Sequence, residues 1–347
     1  MASTSLRSRS SGFTLLELMV AISLATIGSF AIFSIMTGQM QAHYDQTRVG
    51  DAQANARMAM DLIATRAEGA GFGLPMGFTF NTANEINNAP VGDIYNTCPG
   101  TDVFEFRARD PRQTWFVAAA SNPAQLVLAP LAGGLLDIPW PIGQRLMIFL
   151  GTGKVATVQT SANRAMNALS SSLKAASSVS YLGAADPSPT GDECNMVIVS
   201  RFRVSCVDPV HPTLVIENDT DLNGDGVVNQ NDLLPIANDI EDMQVVYFID
   251  ADANNSLDPT EQATPVPANA VTNWGLVKGV RVSLIARSPN QGAPGQSVPS
   301  AAMNLEDHSP VTPPTDFYFR RQVRETVIFE NRNPAKPVYQ HMSNRYL

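Results

Sequence analysis

A basic leader meets an apolar run in the stretch Ser11-Gly12-Phe13-Thr14-Leu15-Leu16-Glu17-Leu18-Met19-Val20. The run extends over 13–36, which is 24 residues, or about 36 Å as a helix at 1.5 Å per residue. This length is enough to cross a bilayer core of roughly 30 Å. Arg7 and Arg9 lie in the leader, and basic residues beside a membrane span favour the cytoplasmic side. The sequence therefore predicts a transmembrane helix with the bulk of the chain outside the cytoplasm.

Glu17 is the one charged residue within this apolar run. A carboxylate at the centre of a membrane helix costs on the order of 2.5 kcal/mol or more on insertion scales, so Glu17 is expected to have a partner. A secretory signal peptide would have a shorter apolar region that ends in a small-residue cleavage site. Here the small residue, Gly12, precedes the run. An ordinary signal anchor explains the leader and the run, but not Gly12, Phe13 and Glu17 together.

The pattern GFTLLE at residues 12–17 resembles the type III signal of type IV prepilins and type II secretion pseudopilins. The resemblance implies that prepilin peptidase removes residues 1–12 by cutting between Gly12 and Phe13, and then methylates the new amino group of Phe13. It also implies that Glu17 pairs with the terminal amine of a neighbouring subunit in a filament. Such pairing would offset part of the cost of placing each charge in hydrocarbon.

The helical pattern continues past the membrane span. Residues 37–68 contain no proline, and one stripe of an amphipathic helix is formed by Ala56, Ala59, Met60, Ile63 and Ala67. Glycines at 69, 71 and 73, followed by a proline at 75, end the pattern. The sequence predicts a helix over 13–70, about 80 Å long, whose transmembrane half is 13–36.

Residues 71–347 show a mostly β pattern with long loops. The predicted strands are short, rich in Val, Ile and Phe, and bounded by turn residues. They lie at 103–108, 125–129, 145–150, 196–202, 244–249, 280–286 and 323–329. A short helix is considered within 163–180, and an inserted subdomain around 205–240. We expect one large extracytoplasmic β-rich head.

Several segments resemble minor pilins of the PilW type. They are DAQANARMAMDLI at 51–63 with Ala70-Gly71-Phe72, GLVKGVRVSLIARS at 275–288, and FRRQVRETVIFENR at 319–332. The resemblance implies an α+β, type IV pilin-like fold, in which a long N-terminal helix packs on a large antiparallel β-rich head. It further implies a single-pass protein of the inner membrane with its head in the periplasm, which later enters the pilus at the cell surface.

The segment 221–232, with the sequence DLNGDGVVNQND, fits a 12-residue calcium loop (loop 1). Oxygen ligands at positions 1, 3, 5, 7, 9 and 12 would come from Asp221, Asn223, Asp225, the Val227 carbonyl, Asn229 and Asp232. Gly226 takes position 6, where the chain must turn sharply. Aspartate at position 12 resembles the dockerin variant of such loops.

The segment 250–261, with the sequence DADANNSLDPTE, is a second candidate (loop 2). Its ligands would be Asp250, Asp252, Asn254, the Ser256 carbonyl, Asp258 and Glu261. Position 6 is Asn255 rather than glycine, although asparagine tolerates positive φ. An Asx-rich surface turn remains the alternative for both loops. Pro235 and the strand pattern at 243–249 stand where flanking helices would be, so we expect calcium loops without full EF-hands, which rigidify the head.

The net charge, the absence of catalytic motifs and the cysteine spacing limit the classes of function that the sequence supports. The net charge of −9 does not favour nucleic-acid binding. Neither GxSxG nor HExxH occurs, and the sequence predicts no enzyme. Cysteines at 98, 194 and 206 lack metal spacing. A disulfide fits the periplasm, and Cys194–Cys206 is favoured for its short separation, with a Cys98 pairing as the competitor.

The leading hypothesis is a structural minor pilin that primes type IV pilus assembly or forms part of a tip complex. Its partners would be prepilin peptidase, the major pilin, other minor pilins and a large tip adhesin, with roles in twitching motility and cell adhesion. One alternative is a J-like pseudopilin of type II secretion. Another is a membrane-anchored, calcium-dependent binding module.

Overall fold

The computed structural model describes the helix and most of the head strands and loops. The described residues are 14–74, 79–80, 85–91, 95–117, 125–130, 145–149, 155–159, 171–174, 180–182, 193–218, 220–291, 303–306, 308–311, 316 and 318–329. Between 111 and 194, and at 304 and 308–311, the description is of the backbone alone. The chain divides into two compact units, residues 1–50 and residues 51–347.

The first unit holds the beginning of helix α1, Leu15–Glu68. Nearly all of its described side chains are exposed, including large apolar ones such as Leu15 and Phe30. Helix α1 is long and apolar enough to cross a membrane. The long N-terminal helix predicted from the sequence is therefore confirmed, and its apolar side chains find no protein core within this unit.

The second unit, called the head below, takes in the remainder of α1. The buried residues there are Ala52, Ala56, Ala59, Met60, Ile63, Ala64 and Ala67, so the predicted stripe is confirmed. The helix ends where Ala70 N–H bonds to Ala67 O, and Gly73 follows with φ +69°. A Cβ at Gly73 would lie 2.8 Å from Arg109 Cδ, so glycine permits the close approach of this turn to the sheet.

A nine-stranded antiparallel sheet forms the larger layer of the head. Its strands are β1 Phe104–Val117, β2 Gln125–Pro130, β3 Arg145–Phe149, β4 Val155–Gln159, β5 Ser171–Lys174, β6 Ser180–Leu182, β7 Glu193–Ser205, β8 Thr213–Glu217 and β9 Leu234–Asn238. Their order is β5-β2-β1-β7-β3-β4-β6, and β8 joins β7 to β9. Strand β7 is long enough to pair with β3 through residues 193–197 and with β8 through residues 201–205.

A second, four-stranded antiparallel sheet has the order β11-β10-β12-β15. Its strands are β10 Ile240–Ile249, β11 Val266–Pro267, β12 Val277–Arg287 and β15 Arg320–Ile328, and a separate hairpin is formed by β13 Met303–Leu305 and β14 His308–Val311. The core between α1 and the two sheets includes Phe104, Phe202 and Tyr247. Tyr247 meets Trp274 edge-on at 4.9 Å between ring centroids.

All seven strands predicted from the sequence are present, and the prediction of an inserted subdomain is wrong. Residues 205–240 do not form a subdomain, because β8 and β9 extend the large sheet through β7. Of the segment 163–180, in which a short helix is considered, β5 occupies 171–174 and β6 begins at residue 180, while 163–170 and 175–179 lie outside the described residues. Strand β9 contains Pro235, which an edge strand tolerates.

A buried charge network occupies the face of β1, β7 and β8 that alternates with the aromatic core face. Glu105 lies opposite Arg201 on β7, which lies opposite Glu217 on β8. The Arg201 guanidinium donates to both carboxylates, at 2.8 Å to Glu105 Oε2 through Nε and 2.6 Å to Glu217 Oε1 through Nη1. Arg203 donates to the other Glu217 oxygen at 2.6 Å. A one-residue slip would bury these charges unpaired, so the network fixes the strand register.

The disulfide joins Cys98 to Cys206, with 5.0 Å between their Cα atoms. Backbone bonds on either side, from Cys98 N–H to Val204 O and from Cys206 N–H to Asn96 O, place the two cysteines side by side. The predicted Cys194–Cys206 pairing is therefore wrong. Cys194 lies near the start of the extended strand β7 and Cys206 just beyond its end. Twelve residues of strand span roughly 40 Å, far beyond the reach of a disulfide.

Candidate functional site

Side chains of its own first turn cap the N-terminus of α1. Thr14 donates to Glu17 Oε2 through both its N–H and its hydroxyl, each at 2.9 Å, and Glu17 N–H returns a bond to the Thr14 hydroxyl at 3.3 Å. These reciprocal contacts form a capping box. The sequence reasoning missed this role, although the spacing Thr-x-x-Glu before an apolar run is visible at 14–17. Gly12 and Phe13, the predicted cleavage and methylation residues, lie outside the described residues.

Loop 1 joins β8 to β9, and its side chains fold back onto its own backbone. Asp221 accepts from Gly224 N–H at 2.6 Å and from Gly226 N–H at 2.9 Å. Asp232 accepts from Leu222 N–H at 2.8 Å and from Asn229 N–H at 2.8 Å. The carboxylates at positions 1 and 12 are thus held inward at the two ends of the loop, and both are buried.

Loop 2 lies between β10 and the short helix α2, Pro259–Ala263. Asp250 accepts from Asn254 N–H at 3.0 Å and from Asn255 N–H at 2.8 Å. Glu261 accepts from Ala251 N–H at 2.7 Å and from Asp258 N–H at 3.0 Å. Position 12 is therefore held by the same loop amides as in loop 1, and position 1 shares the bond from the amide of position 6.

The two loops repeat one set of contacts. Position 12 accepts from the amides of positions 2 and 9 in both, and position 3 accepts from the amide of position 5. Positions 4 and 6 have positive φ in both, at Gly224 (+79°) and Gly226 (+91°) in loop 1 and at Ala253 (+57°) and Asn255 (+70°) in loop 2. Asn255 thus adopts the turn that its position requires.

The donor set of loop 2 fits a calcium ion. Carboxylate oxygens of Asp250, Asp252 and Glu261 all lie within 4.8 Å of one another. Two oxygens that each lie 2.3–2.6 Å from one ion are at most about 5 Å apart, so these three can share a calcium.

Hydrogen bonds lower the pKa of one carboxylate in each loop. In loop 1, the bond from Val227 N–H is the main cause of the lowered pKa of Asp225, and in loop 2 the bond from the Thr260 hydroxyl is the main cause of the lowered pKa of Asp258. Both carboxylates are therefore ionised at neutral pH, as calcium ligands must be.

Within the described residues, neither loop is flanked by the pair of helices that an EF-hand has. Strands β8 and β9 flank loop 1, whose last three residues form a 3-10 turn, Gln230–Asp232. Strand β10 precedes loop 2, and the last three residues of loop 2 form the start of the short helix α2. Asn96 Nδ2 donates to Gln230 Oε1 at 2.8 Å, which joins loop 1 to the segment that carries the Cys98–Cys206 disulfide. Loop 1 is therefore anchored to the cross-linked part of the head.

Two family models match the chain. The prokaryotic N-terminal methylation motif matches residues 7–33, and the type IV pilus-assembly protein W model matches residues 202–331. The PilW-type identification is confirmed. No curated protein and no solved structure matches the chain. The PilW match begins on β7, ends beyond β15, and includes both loops.

Both matched families point to a structural pilin-like protein rather than an enzyme. The head also holds a half-buried acid, Glu85. Glu85 accepts a hydrogen bond from the Tyr247 hydroxyl, and it also accepts from Glu105 N–H at 2.9 Å. Burial raises the pKa of Glu85 well above its usual value, while the bond from Tyr247 opposes the rise. This carboxyl is enclosed in the core, where it ties the segment at 85–91 to both sheets.

Proposed function

We propose that this PilW-type chain is a minor pilin that primes type IV pilus assembly or forms part of the tip complex. The observation that carries the proposal is the combination, in one chain, of the N-terminal methylation motif and a PilW match over residues 202–331 of the head. Prepilin peptidase would cut between Gly12 and Phe13 and methylate Phe13. Other minor pilins and the major pilin would then co-assemble with it, and a large tip adhesin is the further partner we expect.

Deletion of the gene should remove surface pili and twitching motility and leave exoprotein secretion unchanged. Electron microscopy of sheared filaments, a twitching assay and a secretion assay on the same strain measure the three outcomes. Complementation with the full chain is the control. Lost secretion with normal pili would overturn the pilus assignment in favour of the J-like pseudopilin.

We also propose that loops 1 and 2 bind calcium and rigidify the head outside the cytoplasm. The matched hydrogen-bond patterns support this, because positions 3, 5, 9 and 12 accept from the same loop amides in both loops, and position 1 accepts from the amide of position 6 in both. When bound, calcium would supply a central charge that the loop carboxylates share. The loops would then resist local unfolding more strongly.

Calcium should raise the thermal stability of the full chain in detergent, by about 1.4 kcal/mol for each loop at ten times its dissociation constant. Calorimetric titration should detect binding in the range of about 0.1–1 mM that is typical of extracellular modules. Asp221→Asn and Asp250→Asn should each weaken one site. Asp208→Asn, which changes an exposed acid outside the loops, is the matched control. Absence of calcium uptake at millimolar concentration would overturn the proposal.

A calcium-dependent binding module would behave differently from a filament subunit. It would capture a partner only in calcium, and the double variant Asp221→Asn/Asp250→Asn would lose that capture while pili remained normal. The filament role predicts instead that the double variant is a less stable subunit with fewer pili. Counting pili and measuring subunit abundance in the same strain separates the two.

A further inference from the structure

A buried lysine ammonium contacts loop 2 from the neighbouring strand β12. Lys278 is the second residue of β12 and only 6% exposed. Its Nζ donates to the Asn255 side-chain oxygen and lies 3.9 Å from Asp250 Oδ2. Asn255 is position 6 of the loop, where the chain turns, and Asp250 is position 1, the first proposed calcium ligand. The ammonium therefore contacts both the turn residue and the first ligand.

The backbone around Lys278 holds this ammonium in place. Its neighbour Val277 pairs with Ile249, the last residue of β10 before loop 2. Lys278 O accepts a hydrogen bond from Phe329 N–H at 2.7 Å. A buried ammonium is costly unless it is paired, so Lys278 is expected to stay against Asp250 and Asn255.

Loop 1 differs from loop 2 at positions 1 and 6. Its position 6 is Gly226, and Asp221 is held by the backbone amides of Gly224 and Gly226. Within the described part of the chain, the ion pairs include none with Asp221, Asp225 or Asp232. Loop 1 carries three carboxylates, whereas loop 2 carries four. Lys278 offsets the extra carboxylate, so the two loops have the same formal charge.

We infer that Lys278 weakens calcium binding at loop 2 and keeps loop 2 ordered without the ion. The inference rests on the calcium proposal made above. Calcium affinity rises with the number of ligand charges, so loop 2 without Lys278 would be the tighter site. The ammonium neutralises Asp250 and repels an arriving divalent cation at close range, where screening is weak.

Calorimetric titration of the full chain in detergent tests this, with Asp221→Asn as the background that weakens loop 1. Lys278→Met and Lys278→Gln should each tighten calcium binding at loop 2 by tenfold or more. Lys278→Arg keeps the charge and should stay weak. Arg57→Met removes one positive charge from an exposed position on α1 and should leave the affinity unchanged. Without calcium, Lys278→Met should melt at a lower temperature than the background, and calcium should close the difference.

The outcomes separate the two proposals. Unchanged or weaker calcium affinity in both neutral variants would overturn the role of Lys278 while the calcium proposal stands. Tight binding by Lys278→Arg would show that the charge is not the cause and would also overturn it. No calcium uptake by the wild type or by any variant would overturn both proposals. Lys278→Gln retains a hydrogen-bond donor toward Asn255, which keeps the test available if Lys278→Met does not fold.

Discussion

Replacing Cys98 and Cys206 together by serine should lower the free energy of unfolding of the head by about 2–5 kcal/mol. The disulfide closes a loop with a sequence separation of 108 residues, and the chain-entropy model assigns about 4.7 kcal/mol to a loop of roughly 100 residues. The bond also holds the segment of Asn96, whose side chain reaches loop 1 at Gln230. Urea denaturation of the non-reduced full chain in detergent measures the loss.

Cys194→Ser is the matched control for this experiment. The backbone of Cys194 lies on β7 opposite Trp115 and Ile148, far along the strand from Cys206. The urea midpoint of Cys194→Ser should therefore stay close to that of the wild type. A large loss in Cys194→Ser, with none in the double variant, would contradict the Cys98–Cys206 bond. Mass mapping of the non-reduced protein gives the pairing independently.

Glu17→Ala should reduce incorporation of the chain into filaments by at least tenfold. In the proposed pilin role, Glu17 enters the hydrocarbon with the terminal amine of a neighbouring subunit as its partner, and loss of the carboxylate leaves that amine unpaired. The change also removes the acceptor of both hydrogen bonds from Thr14, so the first turn of α1 loses its capping box. Immunoblots of sheared pili against whole cells measure the incorporated fraction.

Thr26→Ala provides a comparison within the same apolar run. The Thr26 hydroxyl bonds to Ile22 O at 2.7 Å, a local contact within α1, so its loss should leave incorporation near the wild-type level. Membrane fractionation should find both variants in the inner membrane, since Glu17→Ala makes the span more apolar. Normal amounts of Glu17→Ala in sheared filaments would show that the carboxylate has no role in assembly.

The two calcium-type loops show which features of a site can be predicted from local sequence. The spacing of Asp and Asn over 221–232 and 250–261 predicted both segments. The bonds between their carboxylates and backbone amides lie within 12 residues, so sequence neighbours supply them. Asn255 was the weak position of loop 2 in the sequence, because glycine is the usual residue there. Its positive φ shows that asparagine adopts the required turn. Nothing in the spacing pointed to Lys278, which approaches from β12.

The disulfide shows where sequence proximity misleads. Cys194 and Cys206 are close along the chain, but strand β7 extends between them and holds them apart. Cys98 is much further away in sequence, yet the antiparallel bridge between its neighbour Thr97 and Ser205 brings it next to Cys206. The partner of a cysteine is set by strand pairing, and sequence separation carries little of that information.

The sequence by itself determined the long apolar helix, its buried alanine stripe, seven of the strands and the two loop segments. Each depends on a short-range pattern: helical or strand periodicity, turn residues, or ligand spacing. The tertiary structure alone decided which strands are neighbours, the Cys98–Cys206 bond, the network of Glu105, Arg201 and Glu217, and the placement of Lys278 against loop 2. These features join residues distant in the chain, and their stability comes from desolvation and pairing that exist only once the sheets have formed.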